Sequence, residues 1–136
     1  MDCVFCKIIE GKIPSYKVYE DEKTLAFLDI NPANPGHTLI VPKEHFANME
    51  DAPEEVICAV MKTAKIVGKA IKAGLGVGGY NLMENNDPIA GQIIPHLHFH
   101  LIPRLKNDGL KLWPQKKYNE GEAEEIRDKI LRTFKG

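Results

Sequence analysis

Residues 96–102 read His96-Leu97-His98-Phe99-His100-Leu101-Ile102, three imidazoles alternating with apolar side chains. Along a β-strand, side chains at i, i+2 and i+4 share one face. The sequence therefore predicts a row of three imidazoles, with Leu97, Phe99 and Leu101 turned the other way into a core. Imidazole titrates near neutrality, so such a row suits a nucleophile, a proton carrier or a metal ligand. A second chemical group opens the chain. Cys3-x-x-Cys6 has the spacing that lets two thiolates hold one ion, and a closed tetrahedral zinc site needs two further ligands. His45, after Pro42-Lys43-Glu44, and His96 are candidates for those positions. The competing reading is a pair of reduced thiols and a surface histidine, and spacing alone leaves both open. Cys58 lies inside an apolar helical stretch and reads as a small core or boundary residue rather than a ligand.

The elements that must position these residues follow from the local patterns. Phe5, Ile8 and Ile9 at helical spacing before Gly11 predict a short N-terminal helix. Tyr16 to Glu20 and Thr24 to Leu28 are β-prone runs joined by Asp21-Glu22-Lys23, a hairpin signal. The stretch from Asp29 to Gly36, with two prolines, two asparagines and a glycine, reads as a loop, and His37 to Pro42 as a third strand stopped by proline. Pro53-Glu54-Glu55 begins a long helix whose apolar series Val56, Ala59, Val60, Ala64, Val67, Ala70 and Ile71 runs to Gly74. Gly74, Gly76, Gly78 and Gly79 follow a helix and precede a strand, the reverse of a dinucleotide fingerprint, so they read as a helix stop and turn. Tyr80 to Glu84 makes a fourth strand and the histidine segment a fifth, closed by Pro103-Arg104. Leu105 to Tyr118 reads as irregular, and Glu122 to Phe134 as a charged terminal helix with Ile126, Ile130, Leu131 and Phe134 on one side.

Length and charge narrow the class. A chain of 136 residues forms one domain, 1–136, that buries roughly two thirds of its unfolded surface without a disulfide scaffold. With 18 basic and 19 acidic side chains there is no global field to favour nucleic acid or a membrane as partner, and a small soluble ligand fits better. The start Met1-Asp2-Cys3 lacks a basic segment followed by an apolar run, and no apolar stretch approaches the ~18 residues of a membrane span. A cytoplasmic protein with reduced cysteines is the expectation.

Taken together, the residues resemble the histidine triad superfamily. His96 to Ile102 fits its signature of three histidines alternating with apolar residues. The likeness extends through Phe5-Cys6-Lys7-Ile8-Ile9, Phe27-Leu28-Asp29-Ile30-Asn31-Pro32, Pro35-Gly36-His37-Thr38-Leu39-Ile40-Val41-Pro42-Lys43-x-His45, Asn85 and Gly91-Gln92. It is closest in kind to the small Hint-like, zinc-containing members from bacteria and archaea. The resemblance implies an α+β fold: a five-stranded antiparallel sheet with one long helix, pairing with a second copy into a ten-stranded homodimer. It implies a purine nucleotide ligand such as AMP or GMP, and one structural zinc on Cys3, Cys6, His45 and His96.

The same resemblance implies hydrolysis at the α-phosphate of purine nucleoside phosphoramidates or adenylated compounds through a covalent nucleotidyl-His98. Splitting one displacement into two easier ones is the general advantage of such an intermediate. His100 would donate to a phosphate oxygen, assisted by Gln92 and the backbone around Gly91, with His37 in support. Asp29 would take the ribose hydroxyls, and Val4, Phe5, Ile8, Phe27, Leu28 and Ile30 the base; Asn85, Gly91 and Gln92 would lie on the phosphate side. One departure stands out. Hint phosphoramidases carry a serine after the glycine-glutamine pair, where this chain has Ile93, which leaves the leaving group open. Alternatives are a dinucleoside polyphosphate hydrolase, and a nucleotide sensor or scaffold with vestigial turnover.

Overall fold

The computed structural model describes residues 2–134. Helix α1, Val4–Ile9, begins where the Cys3 Sγ accepts the Cys6 N–H at 3.4 Å, so the first thiol of the pair is also the cap of the helix that carries the second. Strands β1, Lys17–Glu20, and β2, Thr24–Leu28, are joined by a turn in which Asp21 Oδ1 accepts the N–H groups of Lys23 and Thr24, each at 2.8 Å. After β3, Thr38–Pro42, comes the long helix α2, Glu54–Leu75, then β4, Gly79–Glu84, β5, Phe99–Arg104, and α3, Glu122–Arg132. The five strands form one antiparallel sheet in the order β1-β2-β3-β5-β4.

Both faces of the middle strands are covered, which is why β2 and β3 read as apolar runs rather than as alternation. On one face Ala26, Ile40, Leu97, Phe99 and Leu101 meet Val60, Ala64, Val67 and Ile71 of α2. On the other, Leu25, Phe27, Leu39 and Val41 meet Phe5 and Ile8 of α1. Each buried Val or Ile is worth about 1.5–3 kcal/mol, so the α2 stripe, rather than helix propensity, holds that helix on the sheet. The helix passes Gly74 and ends one residue later, at Leu75, because Gly76 takes the left-handed cap at φ 65°. Cys58 faces solvent, not the core. It follows Ile57 on a helix whose buried stripe starts in earnest at Val60, so its position falls on the outer side.

The histidine segment departs from the expected strand. Pairing begins only at Phe99, opposite Ile40 on one side and Glu84 on the other, so His96 and His98 precede the ladder. Their neighbours end there: β4 gives way to the polar loop after Glu84, and Leu97 N–H donates instead to the Phe46 carbonyl at 2.7 Å. The alternation survives nonetheless, with Leu97, Phe99 and Leu101 all in the α2-side core. Pro103 does not stop β5. Its carbonyl takes the Asn34 Nδ2–H at 2.8 Å on the side where β3 has already ended, so its missing N–H costs no ladder bond.

Gly36, just before β3, has φ +92°, and a Cβ there would stand 2.5 Å from Leu75 Cδ1 and 3.1 Å from Pro103 Cγ. Gly36→Ala is expected to lose ~1–3 kcal/mol, chiefly from backbone strain, since Leu75 Cδ1 ends a half-exposed side chain that can swing aside. Thermal unfolding measures it, and a melting temperature equal to wild type would refute the account.

Candidate active site and metal centre

Helix α1 and the loops after β3 and before β5 converge on a four-residue cluster. Cys3 Sγ lies 3.5 Å from His96 Nδ1, Cys6 Sγ 3.4 Å from His45 Nδ1 and 3.7 Å from His96 Nδ1, and the two imidazole Nδ1 atoms 3.1 Å apart. A tetrahedral zinc ion with ordinary Zn–S and Zn–N bonds separates its ligands by about 3.6 Å for sulfur to nitrogen and about 3.3 Å for nitrogen to nitrogen. The spacing therefore suits one ion. So does the outer contact: His96 Nε2–H donates to the Pro42 carbonyl at 2.9 Å, which leaves Nδ1 as a lone pair aimed at the cluster. Burial and the neighbouring Cys3 push the Cys6 thiol up to about 11. A bound cation reverses that by displacing the proton.

On the other side of His96 the rings form an ordered series whose protons are fixed by their partners. The His98 Nδ1–H donates to the His96 carbonyl at 2.7 Å, leaving Nε2 unprotonated. The Ala33 N–H, which can only donate, reaches His37 Nδ1 at 3.0 Å, so the His37 proton sits on Nε2. That group donates to His100 Nδ1 at 2.9 Å, and the His100 proton is thereby placed on Nε2. Burial lowers the basicity of His37 and His98, and burial together with its imidazole neighbours pushes His100 down to about 4. All three are neutral at pH 7. Asp29, His37 and His100 also bring three ligand atoms within 4.8 Å of one another. A cation there would need the His37 Nε2 lone pair, which forces a proton onto Nδ1 against the Ala33 N–H. The hydrogen bonds here run from the Ala33 N–H through His37 to His100, with the Asp29 carboxylate beside them at 3.7 Å.

His98 and His100 line a cavity of about 480 Å³, a size typical of small-molecule sites. Val4, Phe5 and Ile8 reach it from α1, Phe27 and Leu28 from the end of β2, and Asp29 and Ile30 from the loop that follows. The Phe5 ring stands edge-on to Phe27 and to His98, with centroids 5.6 and 5.0 Å away, and so restrains the His98 ring. Asp29 Oδ1 accepts the Asn31 N–H at 2.8 Å, and Oδ2 lies 3.7 Å from His37 Nε2. The carboxylate keeps lone pairs free for hydroxyl donors.

Not every residue singled out from the sequence lines this cavity. His37 stands behind His100 as its hydrogen-bond donor. Gln92 is buried with its amide engaged: Nε2 donates to the Ala47 and Ile94 carbonyls at 2.6 and 3.0 Å, and Oε1 accepts the Asp87 N–H at 2.8 Å. It braces the loop before His96. Asn85 and Gly91 lie beside one another, and neither is among the residues that line the cavity. The sequence reading missed Ile13, Pro14 and Ser15, which also line the cavity. The signal was there, since a connection this short from α1 to β1 must pass the slot that α1 helps to form. It also missed the Ala33 N–H, a backbone group that no residue type announces.

A family model described as the HIT domain matches residues 10–107. An adenosine 5'-monophosphoramidase of Schizosaccharomyces pombe is 42% identical to this chain, over 99% of this chain and 100% of its own length. An adenylylsulfatase of Arabidopsis thaliana is 45% identical over 109 residues, 80% of this chain and 55% of that one. A solved structure of a zinc-bound histidine triad family protein from Mycobacterium smegmatis is similar with a TM-score of 0.79 and 33% identity, covering 98% of this chain and 96% of that one. With the domain match, the full-length relative and the shared fold in agreement, this chain belongs to the HIT family.

Proposed function

We propose that this chain hydrolyses purine nucleoside phosphoramidates or adenylated compounds at the α-phosphate through a nucleotidyl-His98 intermediate. The observation that carries the reading is the His98 tautomer: its Nδ1–H is committed to the His96 carbonyl, so a neutral ring turns its Nε2 lone pair to the cavity. Nε2 forms a bond to the α-phosphorus as the bond to the leaving group breaks; a leaving amine departs with a proton drawn from solvent, and the attacking water returns one to solvent in the second step. Water then displaces the imidazole to release AMP or GMP. His100 Nε2–H donates to a phosphate oxygen in both steps. Asp29 accepts from the ribose hydroxyls and the Phe5–Phe27 slot takes the base. No lysine or arginine lines the cavity among the described residues. Neutral donors favour the single negative charge of a substituted α-phosphate over the double charge of a free monoester, which supports turnover and product release.

Cys3, Cys6, His45 and His96 would hold one zinc per chain. Bound there, the ion ties α1 to the segment that carries the triad, and it takes no part in the bond changes. Among the described residues the outer edge of β4 pairs with no strand, which supports a homodimer joined edge to edge into ten strands. Thiols kept as ligands fit a reducing cytoplasm.

The test is brief mixing with adenosine 5'-phosphoramidate, followed by a quench that preserves phosphorus–nitrogen bonds and intact-mass analysis. A transient adenylyl adduct with AMP release is the expected result. Turnover confined to diadenosine polyphosphates would move the reading to a dinucleoside polyphosphate hydrolase, and AMP binding without turnover of either class to a sensor.

A further inference from the structure

We propose that Asp108 is a positioning residue for the triad, acting through Asn34 on the Ala33 N–H that sets the protons of His37 and His100. Asp108 is remote from the cavity and its side chain is only 4% exposed. It lies between Asn107 at φ 61° and Gly109 at φ 80°, a turn that leaves its carboxylate facing inward. Five donors converge on it. Arg104 of β5 gives Nε at 2.8 Å and Nη2 at 3.1 Å, and the N–H groups of Leu105 and Leu110 come each at 3.0 Å. The fifth is Asn34 Nδ2, at 3.0 Å.

Asn34 is where this hub meets the site. It is buried, it spends its second Nδ2 hydrogen on the Pro103 carbonyl at 2.8 Å, and its own backbone carbonyl accepts the His37 N–H at 3.0 Å. The residue before it is Ala33, whose N–H meets His37 Nδ1. Asp29 N–H to the His37 carbonyl, at 2.9 Å, closes the base of the same loop. The base of the loop is thus held by the sheet, and Asn34 is the side chain that ties its far end to Pro103 and Asp108. Release of Asn34 frees the Ala33 N–H to move off His37, and with no donor at Nδ1 the His37 proton is no longer confined to Nε2. His100 then loses the donor at its Nδ1, and with it the assurance that Nε2–H faces the substrate. The Arg104 guanidinium holds the Asp108 carboxyl well below the usual carboxylate range, so the hub stays charged at neutral pH.

The catalytic part of this inference rests on the proposed role of His100 as phosphate donor, so the test reads tautomers as well as rates. Full-length Asp108→Asn and Asn34→Ala would be labelled with 15N-histidine, and the Nε2–H and Nδ1–H signals of His37 and His100 compared with wild type. Expected are mixed tautomers at His37 and a kcat for adenosine phosphoramidate lowered roughly ten- to a hundredfold, with AMP affinity within about threefold. Unchanged tautomers in a folded variant overturn the proposal, whether or not kcat falls. Should Asp108→Asn fail to fold, Asn34→Ala, which leaves the Arg104–Asp108 pair intact, decides alone. A wild-type protein that shows the expected tautomers and no turnover would sink the hydrolase reading while leaving the positioning role to be judged by the variant spectra.

Discussion

His98→Ala is expected to lower the hydrolysis of adenosine phosphoramidate by at least about 10³-fold, a loss of ~4 kcal/mol in transition-state stabilisation. AMP affinity should stay within about tenfold, ~1.4 kcal/mol. The two effects separate because different residues carry them. In the proposed mechanism His98 supplies the attacking nitrogen, whereas the apolar slot and Asp29, which line the same cavity, would hold the nucleotide. On the binding side the substitution removes the imidazole wall of the cavity with its edge contacts to Phe5 and His100, and leaves the slot and Asp29 in place. Steady-state rates and calorimetric titration with AMP measure both quantities, and the adenylyl adduct should vanish along with turnover. Turnover within tenfold of wild type would remove His98 as the nucleophile.

Loss of the metal centre should have the second largest effect. Cys3→Ser is expected to abolish stoichiometric zinc and to lower the melting temperature by about 10 °C or more, a few kcal/mol for a domain of this size. Serine is the instructive replacement because a hydroxyl caps a helix at least as well as a thiol. It preserves the bond from the Cys6 N–H and removes only a metal ligand. A chelator should destabilise wild type to a similar extent and leave Cys3→Ser unmoved. Turnover should fall as well, since the His96 carbonyl that holds the His98 proton belongs to a proposed ligand of the ion. Equal melting of wild type with and without chelator would argue against a structural metal.

The sequence was most legible where one residue pattern had a single physical solution. The long helix could be read from its stripe because Val60, Ala64, Val67 and Ile71 have only one face to bury. The histidine alternation announced its two faces even though the ladder starts at Phe99, because side-chain alternation belongs to extended backbone and does not require paired neighbours. The Cys3-x-x-Cys6 pair and the later His45 and His96 were legible as ligand types. That their four donor atoms converge is a fact of tertiary structure. Gln92 shows the opposite case. Its type suggested a donor to phosphate, but an amide will serve whichever carbonyls the fold places beside it, and here these are Ala47 and Ile94.

By itself, the sequence determined the element types and the two-faced histidine segment, because these follow from local periodicity, whereas the four proposed metal ligands and the residues of the apolar slot were implied by the resemblance to the histidine triad superfamily. Tertiary structure alone decided which nitrogen of each imidazole carries the proton. That choice depends on how the chain turns the His96 carbonyl and the Ala33 N–H toward rings two and four residues on, and on Pro42 and His37 meeting His96 and His100 from 54 and 63 residues away; backbone groups are the same in every residue, so no residue type announces them. It also decided that Asp108, distant in sequence from His37, faces Asn34 and Arg104 from the turn after β5. A carboxylate's partners are set by where the chain folds, and its reach ends at the length of a hydrogen bond.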